Sequence, residues 1–232
     1  MIYEYGDGVY GVDSGYEGPE VALIYIVQDG GRTAIVETAH NAALEPVLDA
    51  FEKLGIAKDS VDYIFLTHIH LDHAGGAGRF MQTFGNAKLV VHPRGAKHMI
   101  DPSKLVASAT DVYGAEYMRQ MYGEILPIPA ERVVTPADGD TFRLGSRTIT
   151  ALDTPGHARH HLSYYDDKAN AAFTGDVFGM SYRGLWKGER QGVIPSTSPT
   201  QFDPEAMRAS IDRIEAMKPA KLFLTHFGEL HD

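Results

Sequence analysis

The stretch LTHIHLDHAGG, Leu66 to Gly76, begins on the last residue of VDYIFL, an apolar run that reads as a strand. It places His68, His70, Asp72 and His73 within six residues. Burying one unsatisfied polar side chain costs ~1–3 kcal/mol, and a few together rival the ~5–15 kcal/mol that holds a whole domain folded. A shared cation removes that cost. Cysteine is absent from the chain, so the ligands have to be His, Asp or Glu. If His68 and His70 prolong the strand they point to one side, and a tight turn over Leu71 to Ala74 swings Asp72 and His73 inward. Gly75 and Gly76 let the backbone bend closely around the site.

Further ligands have to come from other strand ends. Three places offer them: His157 in TPGHARHH, Asp176 in TGD and His226 in LTHFG, each just after an apolar or β-branched run. A lone histidine is more often an ordinary core or surface residue than a ligand, and the chain has 11. Grouping singles these out, whereas His160 reads as a bystander and His40, His92, His98 and His231 as ordinary histidines.

Runs at 8–13 (GVYGVD), 21–27 (VALIYIV) and 33–38 (TAIVET), separated by Gly-rich turns, predict an antiparallel meander. Leu44, Val47, Leu48, Phe51 and Leu54 share one face of a helix over about 43–54, stopped by Gly55. Beyond the histidine stretch come a short helix at AGRFMQTF, a strand KLVVH and a largely helical segment over 103–122. Met99, Tyr113, Tyr117, Met118, Met121 and Tyr122 form a stripe at helical spacing, read as helix packing. The second half repeats the plan: strands at TFRLG, RTITALDT, LSYYD and AAFTGD, a helix over 204–217 and a strand AKLFLTH. DYIFLTHIH and AKLFLTHFG both follow a helix and end in Leu-Thr-His, a short internal echo. Two such halves predict a sheet sandwich flanked by helices. The long aromatic-rich connection 177–202 is a candidate substrate-facing loop.

Composition excludes several function classes. The chain has 232 residues, 44% of them hydrophobic, which suits one core, and no apolar run nears the ~18 residues of a membrane span. The N-terminus lacks the basic flank and apolar core of a secretory signal, so the cytoplasm is the expected location, with no membrane partner. A formal net charge of −10 opposes nucleic acid as a partner, although two divalent ions would offset ~4 of those charges. No GxSxG, P-loop, GxGxxG or HExxH pattern is present.

THIHLDHAGG, TPGH, TGD and LTHFG, in this order over residues 67–228, resemble the metallo-β-lactamase superfamily, in its glyoxalase II and lactonase-like branch. The resemblance implies an α/β fold: a four-layered αββα sandwich, one domain over 1–232, with the site at one edge of the two sheets. It implies that His68, His70 and His157 bind one divalent metal ion, that Asp72, His73 and His226 bind a second, and that Asp176 bridges them. Zinc suits this set, with iron or manganese chemically acceptable. His161 matches a histidine of glyoxalase-like relatives and either supports the ligands or faces substrate. Relatives usually continue past the point, six residues after His226, where the sequence stops, so the expectation is either a shortened member that lacks a C-terminal extension or a longer chain of which this is a part.

The implied activity is hydrolysis of a small ester, lactone or thioester by a hydroxide held between the two ions. Asp72 would orient the attacking water or carry its proton. Phe178, Tyr182, Arg183 and Trp186 either wall the substrate with one cation or pack on their own neighbours. Two other classes share the ligands: a di-iron redox enzyme, which normally has a carboxylate where His70 sits, and a catalytically idle metal-binding sensor. A β-lactamase fits poorly without a signal peptide, and a phosphodiesterase fits poorly with the acidity. The expected partner is a small-molecule substrate, and homo-oligomer formation is left open.

Overall fold

The computed structural model describes residues 1–230, so His231 lies outside the described residues. Seven strands form the first sheet in sequence order: β1 (Ile2–Gly6), β2 (Val9–Asp13), β3 (Leu23–Asp29), β4 (Arg32–Val36), β5 (Val61–Phe65), β6 (Lys88–Val90) and β7 (Val133–Val134). β1 to β4 are the antiparallel meander, and β4 to β7 run parallel. Six strands form the second sheet: β8 (Thr141–Leu144), β9 (Arg147–Asp153), β10 (Leu162–Asp166), β11 (Ala171–Gly175), β12 (Lys221–Leu224) and β13 (Gly228–Leu230). Their order is β13-β12-β11-β10-β9-β8, antiparallel except for the β11–β12 pair.

Side-chain alternation explains why both sheets are buried on two faces. Along β3, Leu23, Tyr25 and Val27 meet Phe65, Tyr164, Phe173 and Phe223 between the sheets. Ile24 and Ile26 point the other way, into a second core. That core is closed by α1 (Leu44–Leu54), α3 (Ala77–Thr83) and α4 (Pro93–Ile100), through Val47, Phe51, Phe80 and Met99. On the far side Leu152 and Ala172 pack under Ile214 of α7 (Pro204–Ala216). The layers are therefore helix, sheet, sheet, helix. Double burial is why VALIYIV reads as an unbroken apolar run rather than an alternating one.

Several elements differ from expectation. β5 ends at Phe65, so His68 and His70 lie in the loop beyond it rather than on the strand, and Leu71–Ala74 forms a one-turn helix, α2, instead of a tight turn. The segment 103–122 divides into α5 (Ser103–Tyr113) and α6 (Ala115–Met121), because Gly114 adopts φ 85°, ψ 150°. α4 was missed, although Pro93 in its first turn and the His92 side chain accepting from Arg94 N–H are ordinary helix-start signals. β1 and β13 lie at sheet edges, where one-sided burial leaves a mixed, polar-looking sequence. Among the described residues no helix is long and apolar enough to cross a membrane.

Candidate metal centre

β9, β11 and β12 run in one direction, so their C-terminal ends share an edge, and the loops after β4 and β5 meet them there. Hydrogen bonds lace the two sheets together at that edge. Leu162 N–H donates to Thr67 O at 2.7 Å and Tyr164 O–H to Leu66 O at 2.7 Å. All seven sequence-predicted candidates converge in this space, in three overlapping sets: His68, His70 and His157; His68, His73 and Asp176; and Asp72, His73 and His226. Gly76 lets the loops close up, since a Cβ there would lie 2.7 Å from Thr38 O. Gly175 does the same just before Asp176, with φ +52° and a Cβ that would sit 2.7 Å from Thr67 Oγ1.

In the first set the outer nitrogens of His68 and His157 are engaged by the protein. His68 Nδ1 lies 3.1 Å from Thr67 Oγ1, and His157 Nδ1 3.0 Å from the Ser196 carbonyl, to which it donates. Thr67 spends its own proton on Glu37, so His68 Nδ1 is the donor in that pair. Both Nε2 atoms are thereby turned inward, 2.9 and 3.1 Å from His70 Nδ1. Burial first, then the neighbouring histidines, holds His68 well below the usual imidazole range and His70 at about 4, so these rings are neutral. Neutral nitrogens converging in this way suit a cation.

The set of Asp72, His73 and His226, opposite the first, contains the charge. His226 Nδ1 donates to the Val21 carbonyl at 2.8 Å and turns Nε2 toward Asp72 Oδ2 at 3.4 Å. His73 Nε2 lies 3.5 Å from Asp72 Oδ2 and 3.4 Å from Asp176 Oδ1. Burial pushes the His73 imidazolium down, but Asp72, Asp176 and Glu37 outweigh it and hold the group well above its ordinary value. A cation arriving here therefore competes with a proton. His73 Nε2 and Asp176 Oδ1 are buried without a hydrogen-bond partner among the described residues, which is where an ion would satisfy them. Asp176 faces both sets: Oδ1 lies near His73 and, at 3.6 Å, near His226, while Oδ2 lies 3.3 Å from His157 Nε2 and accepts from Ser196 Oγ at 3.1 Å.

Sequence reasoning missed Glu37. It is 1% exposed, adopts φ 71°, and its Oε1 takes His73 Nδ1 at 3.1 Å together with the hydroxyls of Thr67 and, at 3.2 Å, Thr225. Here the Leu-Thr-His echo acquires a cause, because both threonines anchor to this one carboxylate and aim the histidines that follow them. The readable signal was an acidic residue closing the apolar run TAIVET. Glu37→Gln should keep the fold but weaken binding of the more loosely held of two added zinc ions by ~10–100-fold, as loss of a ligand's orienting partner typically does. Calorimetric zinc titration of the metal-free protein measures it, and unchanged affinities would rule out the positioning role.

The remaining candidates separate cleanly. His161 is fully buried, with Nδ1 3.0 Å from Thr154 Oγ1 and Nε2 accepting from Asp176 N–H at 3.3 Å, so it supports the Asp176 loop and does not face substrate. His160 lies beside the first set, its ring centroid 5.5 Å from that of His70. Phe178 packs with Leu152 and Ile214 on the α7 side. Arg183 stacks 3.9 Å over Trp186, whose Nε1 donates to Ser181 O at 3.1 Å, so both pack on their own neighbours. Of the four loop residues only Tyr182 reaches the centre, its ring 5.9 Å from that of His226. Met118 and Tyr122 of the helical stripe are buried with Tyr16 and Leu71 behind the centre, whereas Tyr113 is exposed. His92 caps α4, His98 is half-buried on that helix, and His40 packs 5.7 Å from Tyr16.

Comparison with known proteins agrees with this architecture. A family model described as the metallo-beta-lactamase superfamily matches residues 18–226. The metallo-beta-lactamase fold-containing protein ST1585 of Sulfurisphaera tokodaii is 30% identical over 226 residues, covering 95% of this chain and 78% of that protein. The crystal structure of ST1585 superposes with a TM-score of 0.78 at 29% identity, over 97% of this chain and 82% of the other. A hydroxyacylglutathione hydrolase of Synechococcus is 28% identical over 86% of this chain and 67% of its own length. The thioesterase pkgB of Emericella nidulans is 28% identical over 68% of this chain, which spans 36% of that enzyme. Relatives named as hydrolases fit the expected reaction class, and the chain belongs to the metallo-beta-lactamase superfamily.

Proposed function

We propose that this protein is a two-metal hydrolase of small esters or thioesters. In this reading His68, His70 and His157 hold one ion, Asp72, His73 and His226 a second, and Asp176 spans both. The observation that carries it is Asp176, whose two carboxylate oxygens face different histidine sets. Relatives named hydroxyacylglutathione hydrolase and thioesterase support the substrate class. A donor set of imidazoles and carboxylates without thiolate suits zinc.

The bound ions would supply Lewis acidity, bringing the pKa of a water toward neutrality and polarising a carbonyl. The chain's own residues do the rest. Asp72, with its side chain 29% exposed, is the most accessible of the carboxylates and can accept a proton from the attacking water. Burial, followed by Asp176 and Asp72, raises the Tyr182 phenol to about 12, so it stays protonated at neutral pH. Among the described residues its hydroxyl is engaged only by the weak acceptor Met180 Sδ at 3.3 Å, leaving it able to donate to oxygen of a substrate near His226.

The test is a panel of acyl thioesters, lactones and aryl esters, with a cephalosporin and a phosphodiester as controls, run on protein of known metal content. Turnover of thioesters or esters in proportion to occupancy of two ions per chain is expected. A chain that holds two ions and turns over none of them is a sensor, and the reading fails.

A further inference from the structure

Beside the centre lies a cavity of about 810 Å³, with His70 and His160 on one wall and α4 and α5 on another. Four of its lining side chains are cationic, Arg94, Lys97, Lys104 and Arg159, and none is acidic, in a chain of formal net charge −10. All four are exposed, and the ion pairs of the described residues engage none of them. Asp101, close enough to act on Lys104, spends Oδ1 on the backbone N–H of Ser103 at 3.1 Å. Lys97 and Lys104 converge on His98 of the same wall, whose imidazole is pushed down by burial first and then by these two cations.

A concave site lined by one sign of charge focuses the field and gathers counter-ions. An acidic protein gains nothing for solubility by concentrating unpaired cations in a hollow, and here the hollow opens on His70. We propose that the cavity is an anion subsite, which binds a carboxylate or phosphate carried by the substrate while its ester or thioester carbonyl lies at the metal centre. The proposal rests on the hydrolase reading and adds the charge of the substrate to it. Arg94 and Arg159 can each present a planar fork to such a group, and the two lysines supply compact point charges.

The experiment compares three acetyl thioesters that differ only in the far end of the thiol: 3-mercaptopropionate, its primary amide, and 2-mercaptoethyl phosphate. In the zinc-loaded protein, kcat/KM for the two anionic thioesters should exceed that for the amide by about tenfold or more, chiefly through KM. Raising NaCl from about 50 to about 500 mM, which shortens the Debye length from ~14 to ~4 Å, should erode the preference. The quadruple variant R94Q/K97Q/K104Q/R159Q should bring the ratio of anionic to amide kcat/KM close to one, with metal content retained as the check on folding. Phosphate ahead of carboxylate in the wild type identifies a phosphorylated thiol as the source of the anion, and the reverse order an acidic one.

A ratio near one in the wild type, or a preference that survives in the variant, overturns the subsite. Should no thioester be turned over, the hydrolase reading fails separately. Equilibrium binding of the non-hydrolysable S-(2-oxopropyl) thioethers of the same thiols then decides. About tenfold tighter binding of the anionic forms, lost in the quadruple variant, upholds the subsite, and equal binding refutes it.

Discussion

Asp176→Ala should bind no more than one zinc ion tightly and lose at least ~10³-fold in turnover, the scale expected when a metal nucleophile-generating site is dismantled. The reason is electrostatic. Two divalent ions ~4 Å apart repel by ~17 kcal/mol at an effective dielectric of ~20, and an anion between them is what makes their company tolerable. Asp176 is placed to be that anion, with Oδ1 3.4 Å from His73 Nε2 and Oδ2 3.3 Å from His157 Nε2. Asp176→Asn discriminates further. It keeps one acceptor oxygen but turns an NH₂ toward the other histidine set, so one ion should remain where the native protein holds two. Elemental analysis alongside thioester turnover reads both variants. Two ions and full activity in Asp176→Ala would remove the bridging role and, with it, the main support for a dinuclear hydrolase.

The candidate ligands were legible because metal chemistry demands particular side chains and strand ends deliver them. HxHxDH sits after β5, and His157, Asp176 and His226 follow β9, β11 and β12 at the same edge. What supports them was not legible, for a physical reason. The outer nitrogens of His157 and His226 are held by the carbonyls of Ser196 and Val21, and every residue offers a carbonyl. Glu37 was legible only in part, since a strand-final carboxylate is usually solvated. Nothing local states that two threonines and a histidine from 30 to 188 residues away will close on it. Phe178, Arg183 and Trp186 show the converse limit. Aromatic and cationic composition marks a loop as a candidate wall, but only packing decides whether a ring faces the cavity or its own neighbours. The basic cavity went unremarked because Arg94, Lys97, Lys104 and Arg159 are diluted by the overall acidity and meet only in three dimensions.

Arg147→Ala should destabilise the fold by ~3–5 kcal/mol, the cost of stranding a buried charge, while leaving zinc affinity unchanged in the folded protein. Arg147 is 1% exposed at the start of β9, the end of the strand away from the centre, ~20 Å distant at 3.3 Å per residue. Its guanidinium pairs with Asp166 of β10 and donates to the carbonyls of Asp7 and, at 3.2 Å, Gln28, so it ties the second sheet to the first. Burial raises the Asp166 carboxyl, and Arg147, helped by the N–H groups of Ala169 and Lys168, pulls it only part of the way back. The pair is therefore costly to keep ionised and costlier to break. In a domain of this size the single variant should lower Tm by ~10 °C, at ~2–4 °C per kcal/mol. The double replacement Arg147→Met with Asp166→Leu removes both charges and should recover most of that loss, because an apolar pair of similar volume avoids the desolvation. Thermal melts of metal-free protein, with no ligand to shift the baseline, make the comparison. If the double variant is as unstable as the single, the hydrogen bonds to Asp7 and Gln28, and not the buried carboxylate, are what the arginine is there to supply.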